Sequence, residues 1–163
     1  MSNANLFFSF VLVLVLLGCD TPQEKARNYN NEIVLVLTEA GLVMQQLDES
    51  LLNQIEINSR FEGAKKKVDS CQKVLNEIDL YEKDTTLVYP AKRVIEVYHK
   101  LLSAQYKDLV QFHTLPSSDI TFDLVDSTRV LRMEIQNEST FVQRDFENAQ
   151  QSFADRYTLK LVE

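Results

Sequence analysis

The one spacing in this chain that could hold a redox metal is Glu96-Val97-Tyr98-His99, a Glu-x-x-His step. On a helix the two side chains fall about one turn apart. Two such steps joined by two further glutamates hold di-iron or di-manganese centres in helical bundles. Here the second step is missing, because the only other histidine, His113, has Val110 three residues before it. At about 100° per residue, Glu96 and His99 also point away from the apolar stripe of their helix, towards water. His113 reads as a helix-end residue beside the negative pole of the helix dipole. Other chemistries fail sooner. Only Gly41 and Gly63 follow residue 18, too few for a phosphate-cradling loop, and neither His-Glu-x-x-His nor Cys-x-x-Cys occurs. The carboxylate pairs Asp123/Asp126 and Asp145/Glu147 read as solvated faces of an acidic protein. No enzyme activity, cofactor or metal ligand is expected.

Cys19 is the residue whose context supports a chemistry. Leu6 to Leu17 is an apolar run broken only by Ser9, it ends in Leu16-Leu17-Gly18-Cys19, and polar Asp20-Thr21-Pro22-Gln23-Glu24 follows. A run of this length is too short to cross a bilayer comfortably but suits the apolar region of a signal peptide. Its ending is similar to a lipobox, where a peptidase cuts before a cysteine whose thiol is alkylated with diacylglycerol. The expectation is a lipoprotein signal over 1–18, a membrane anchor through lipid on Cys19, a tether over 19–24, a helical bundle over 25–158 and a tail over 159–163. Met1 to Asn5 carries no Lys or Arg, a departure from the usual positive start of a signal. The second cysteine, Cys71, sits on the apolar spacing of a helix and reads as a buried, unreactive thiol.

None of the 17 Lys and Arg or the 24 Asp and Glu lies in residues 1–18, so the net charge of −7 belongs to the remainder. That balance works against capture by nucleic acid or anionic headgroups. The only basic run, Lys65-Lys66-Lys67, spreads around a helix as a solvated surface. With 3 Gly and 3 Pro in the whole chain, few positions suit strained turns, which fits long helices better than a many-turned β-sandwich.

Helical periodicity bears this out along the chain. A first helix, about 24–57, carries Tyr29, Ile33, Val36, Ala40, Val43, Leu47, Leu51 and Ile55 on one face. Ser59-Arg60-Phe61-Glu62 has the pattern of a capping box and predicts the start of a second helix, with Phe61, Ala64, Val68, Cys71, Leu75 and Ile78 inward. Pro90 is tolerable only in a first turn, so a third helix starts between Thr86 and Tyr89 and turns Ala91, Val94, Ile95, Tyr98, Leu101, Leu102, Leu109 and Phe112 inward. Pro116 stops it, and Ser117 or Ser118 caps a fourth helix that runs to about Tyr157 on Leu124, Thr128, Leu131, Ile135, Val142, Phe146, Ala149, Phe153 and Tyr157. The predicted fold is all-α, an antiparallel up-down-up-down four-helix bundle with long first and fourth helices.

Some apolar residues fall outside these stripes. Leu35 and Leu42 sit opposite the core face of the first helix, and Val130, Met133 and Phe141 lie about 120° or more from the stripe of the fourth. They form a candidate patch for a protein partner or for self-association.

The two ends of the chain after the signal carry a resemblance. Cys19 with Ala26-Arg27-Asn28-Tyr29-Asn30-Asn31-Glu32-Ile33-Val34, and Phe146-Glu147-Asn148-Ala149-Gln150-Gln151-Ser152-Phe153-Ala154-Asp155-Arg156-Tyr157, resemble a family of small predicted surface lipoproteins of diderm bacteria. The resemblance implies an exported, lipid-anchored helical protein, leans towards the outer membrane or cell surface over the inner membrane, and carries no catalytic residues. Asp20, after the anchoring cysteine, acts as an inner-membrane retention signal in some bacterial groups and accompanies surface export in others. The reading is a lipid-anchored envelope protein acting as a helical interaction module. The alternatives are a bundle that binds a small apolar ligand or lipid, and a metal-binding enzyme of ferritin-like type.

Overall fold

A computed structural model describes residues 21–161, and Cys19 with its preceding apolar run lies outside them. The described chain is all-helical, with α1 over Pro22–Asn53, α2 over Ile57–Glu77, α3 over Val88–Ser103, α4 over Gln105–His113 and α5 over Phe122–Arg156. Short 3-10 turns at Tyr81–Lys83 and Ser117–Asp119 punctuate the links. All four expected helical segments are present, and the third is broken at Ala104 into α3 and α4. The carbonyl of Lys100 takes hydrogen bonds from both the Ser103 hydroxyl (2.8 Å) and the Ala104 N–H (3.1 Å). Such back-bonding by a serine bends helices, and Ala104 leaves helical geometry at φ −121°, ψ −90°.

The helix starts differ from the sequence reading in an instructive way. The capping box stands at Thr21 and Glu24. Thr21 N–H donates to Glu24 Oε2 at 2.7 Å, and Glu24 N–H donates to Thr21 Oγ1 at 3.2 Å, with Pro22 in the first turn. Residues 22–24, expected as tether, are therefore helical. Ser59 falls inside the first turn of α2, whose N-cap is Glu56 with no side-chain cap. The link between α1 and α2 is so short that Gln54 and Glu56 both adopt left-handed backbone (φ 57° and 54°). The scarcity of glycine did not prevent tight turns; it left them to residues that bear some strain. At α5 the cap is Thr121, accepting from Leu124 N–H at 3.3 Å, and not Ser117 or Ser118.

The core follows the apolar spacing. Ile33, Ala40, Leu47 and Leu51 of α1, Val68, Cys71 and Leu75 of α2, Ala91, Ile95, Tyr98, Leu101 and Leu102 of α3, Leu109 of α4, and Val142 and Phe153 of α5 are buried. Met44 is buried where Val43 was expected, and Ile55, past the end of α1, is 62% exposed. Tyr106, which the stripe omitted, is among the largest fully buried side chains. Along the chain α1 packs on α2, α2 on α3, and α3 and α4 on α5. The backbones of α1 and α5 stay apart over most of their length and meet through side chains. No helix of the described residues is long and apolar enough to cross a membrane.

Candidate functional site

Among the described residues no cluster of three or more His, Cys, Asp or Glu could hold a metal ion. The structure places His99 against α2, where its Nδ1 lies 3.5 Å from Asp69 Oδ1, and its buried Nε2 has no hydrogen-bond partner. Glu96 is exposed. His113 ends α4, where burial and the charge of Arg132 hold its pKa below the ordinary value and favour neutral imidazole. Cys71 is a free, buried thiol whose pKa burial pushes up, so it is a poor nucleophile.

The polar chemistry gathers at two places that sequence spacing did not mark. At the pole holding the start of α1 and the end of α5, the Asp84 carboxylate is enclosed, with 3% of its side chain exposed. It accepts from Arg156 Nη1 at 2.6 Å, Tyr157 OH at 3.1 Å and Thr86 N–H at 2.7 Å. Burial opposes its ionisation, but the bonds from Thr86, Tyr157 and Arg156 outweigh burial and hold its pKa below the usual aspartate value. Beside it Tyr29, Tyr81, Phe153 and Tyr157 stack with ring centroids 4.6–6.3 Å apart. Tyr81 OH donates to the Pro22 carbonyl at 2.8 Å, which pins the start of α1 to the link between α2 and α3, and the Tyr81 ring packs in turn on Phe153 and Tyr157 at the end of α5. Tyr29 is so enclosed that its pKa is pushed up to about 12, mainly by burial.

The second place is the cleft between α1 and α5. Towards the chain ends it is lined by Arg27, Asn31, Gln150 and Leu161. Its middle, about 320 Å³, has Val34, Leu37 and Gly41 on one wall, Gln143 and Phe146 on the other, and Val94 and Tyr98 as floor. Gln150 bridges to Asn30 (3.1 Å) and Gln143 to the Tyr98 hydroxyl (3.1 Å). Further along, Asp48 and Leu52 face Arg132, Ile135 and Thr140. Asp48 accepts from the fully buried Tyr106 hydroxyl at 2.8 Å. Burial raises the Asp48 pKa, and Tyr106 and Arg132 offset this only in part.

The five apolar residues singled out from the sequence are all exposed: Leu35 60%, Leu42 51%, Val130 49%, Met133 58% and Phe141 51%. Leu35 and Leu42 share one line on the outer side of α1. Val130 and Phe141 fall within about 20° of each other on α5, and the Arg93 guanidinium of α3 stands 5.6 Å from the Phe141 ring centre. Sequence reasoning missed a second apolar surface at the turn into α5, with Phe122 85%, Val125 48% and Ile120 40% exposed. Leu124, Thr128 and Leu131, expected inward, are only half-buried there.

No protein-family model matches the chain, and neither a curated protein nor a solved structure matches it.

Proposed function

We propose that this chain is a lipid-anchored cell-envelope protein, exposed at the surface, whose helical domain acts as a protein-interaction module. The observation that carries the reading is the apolar run closing on Leu16-Leu17-Gly18-Cys19, a context that suits cleavage and acylation at the cysteine. The domain is arranged to suit a tether there. Its first helix is capped at Thr21, two residues past Cys19, and the Tyr81 bond to Pro22 ties that end into the aromatic cluster. The pairings of Asn30 with Gln150 and of Asp48 with Tyr106 favour an up-down-up-down bundle, α3 and α4 together forming its third member. The resemblance of the two chain ends to small surface lipoproteins favours the outer membrane. Exposed apolar residues over α1 and α5 support a binding role.

A second reading is favoured by the cleft between α1 and α5, whose middle is largely apolar and of a size to take a short acyl chain or similar ligand. Mass spectrometry of the protein from its own host tests the first reading. The expected result is an N-terminus at Cys19 bearing diacylglycerol, lost in Cys19→Ala, and release of domain peptides when intact cells are treated with protease. An intact first segment, or a mature chain free of fatty acid, would overturn it. Ligand extraction and mass spectrometry of the same preparation tests the second.

A further inference from the structure

The outer line of α1 is unlike the rest of the surface. Between Ile33 and Leu47 its one charged residue is Glu39, and that carboxylate is held by Lys67 of α2 at 2.6 Å. The shorter α2 carries Arg60, Glu62, Lys65, Lys66, Lys67, Asp69, Lys73 and Glu77. A helix face spanning several turns without a free charge is unusual on a chain of net charge −7.

Its exposed residues also follow a pattern. Arg27, Asn31, Leu35, Thr38, Leu42, Gln45 and Glu49 are all exposed and recur at steps of three and four, so they form one line along the helix, with Arg27, Asn31 and Thr38 also at the rim of the α1–α5 cleft. The line is nearly palindromic about Thr38. Leu35 and Leu42 stand three and four residues to either side, Asn31 and Gln45 seven, Arg27 and Glu49 eleven.

We propose that this line is an isologous contact with a second copy of the chain, the two α1 helices antiparallel and crossing at Thr38. A two-fold axis there sets Leu35 against Leu42 of the other copy, Asn31 against Gln45, and Arg27 against Glu49, each twice. Apolar meets apolar, amide meets amide, and opposite charges meet at both ends. A parallel pair would set Arg27 against Arg27 and Glu49 against Glu49. The charges therefore choose the antiparallel pair, and the uncharged middle removes the repulsion that two acidic copies would otherwise feel. The line spans about 33 Å at the ordinary helical rise and is narrow, so the dimer is a weak one, with a dissociation constant on the order of 10 μM or above. The contact does not rest on acylation of Cys19. Where that anchor is present, two tethers at opposite ends of the pair lay it along the bilayer.

Sedimentation of the full chain in a mild detergent, across about a hundredfold range of concentration, tests the contact. The expected result is a monomer–dimer equilibrium that Leu42→Glu weakens about tenfold or more and Glu49→Arg weakens about threefold. The pair Arg27→Glu with Glu49→Arg restores it. These side chains are exposed, and circular dichroism of each variant shows that the fold is kept. With a short bismaleimide, Thr38→Cys cross-links above the background of the parent chain, and Leu35→Cys does so less than a mixture of Leu35→Cys and Leu42→Cys chains. A monomer at every concentration, no rescue by the double charge reversal, or Leu35→Cys cross-linking to itself as well as Thr38→Cys does would overturn the proposal.

Discussion

Asp84 and Asp48 are both aspartates drawn in from water, one near each end of the long helices, and their surroundings push them in opposite directions. Asp84 sits among donors: an arginine, a tyrosine and a backbone N–H all converge on it, and it stays ionised below the usual range. Asp48 has one neutral donor, Tyr106, and a more distant arginine, so burial dominates and its pKa rises. The difference extends to the neighbourhoods. Around Asp84 four aromatic rings interlock, and the start of α1 and the end of α5 are tied down. Near Asp48 the two long helices stand apart across a cleft, and beyond it the turn into α5 exposes large apolar side chains. One end of the domain is built for stability and the other leaves surface unsatisfied, a division that suits the tethered module proposed above.

The largest effect should come from deleting an aromatic ring at the first end. Phe153 is fully buried against Tyr29, Tyr81 and Tyr157. Phe153→Ala should lower unfolding free energy by about 3–5 kcal/mol in chemical denaturation. Leu124→Ala, at the half-buried start of α5, should lower it by about 1 kcal/mol or less. Equal losses at the two sites would erase the contrast between the ends.

Asp84 gives the next effect and one with a pH signature. Its folded-state pKa lies below the ordinary 3.8, so its contribution is complete at pH above that value and is lost as pH falls through the lowered one. Asp84→Asn keeps the shape but weakens the bonds from Arg156 and Tyr157, and should destabilise by about 1–3 kcal/mol at neutral pH. Denaturation midpoints measured from neutral to acidic pH should converge for the variant and the parent at the acid end. A constant gap at all pH values would assign the loss to packing and not to charge.

How legible these ends were in the sequence follows from the range of the interactions. Apolar residues at three- and four-residue steps identified the helices and most of the core, because burial of one face is a local pattern. Asp84 falls between the expected second and third helices with no role marked, since its side-chain partners Arg156 and Tyr157 lie more than 70 residues away and only the Thr86 N–H is local. Tyr106 lies four residues after Leu102 and three before Leu109, so the same spacing reaches it; what the spacing does not show is the acceptor of its buried hydroxyl, Asp48, 58 residues away. The capping box at Thr21–Glu24 is as plain a local pattern as Ser59-Arg60-Phe61-Glu62, and it starts α1. Ser59–Glu62 caps nothing, because the chain has already turned at Gln54 and Glu56 and α2 has begun at Ile57, a turn that the packing of α1 on α2 decides. The line on α1 was half seen, as Leu35 and Leu42; their amide and charged neighbours mattered only once α2 was known to cover Glu39.

At the second end the same substitution should act in the opposite direction. Because the Asp48 pKa is raised, the folded state prefers the neutral side chain, and the ionised form weakens the fold at neutral pH. Asp48→Asn keeps an oxygen for the Tyr106 hydroxyl and removes the buried charge. It should raise stability by up to about 1 kcal/mol at neutral pH, with the advantage shrinking as the parent's Asp48 takes up its proton on acidification. A destabilised Asp48→Asn would show that Arg132 holds this carboxylate more firmly than the burial of its surroundings opposes it.

The smallest expected change concerns the cleft itself. Gly41 lies within the regular part of α1, where glycine is less favourable than alanine by about 0.5–1 kcal/mol. Nothing in the packing of the domain requires it: a Cβ placed there meets only the Tyr98 hydroxyl, at 4.0 Å, an ordinary contact. Gly41→Ala should therefore stabilise the domain by about 0.5 kcal/mol, read as a small upward shift of the denaturation midpoint. The same methyl projects into the wall of the α1–α5 cleft beside Val34 and Leu37 and reduces its width. If the cleft takes an apolar ligand, the variant gains stability and loses bound ligand together. If the cleft is only a seam between helices that do not close, the variant gains stability and loses nothing, and the working surface of this end lies on its outer faces alone.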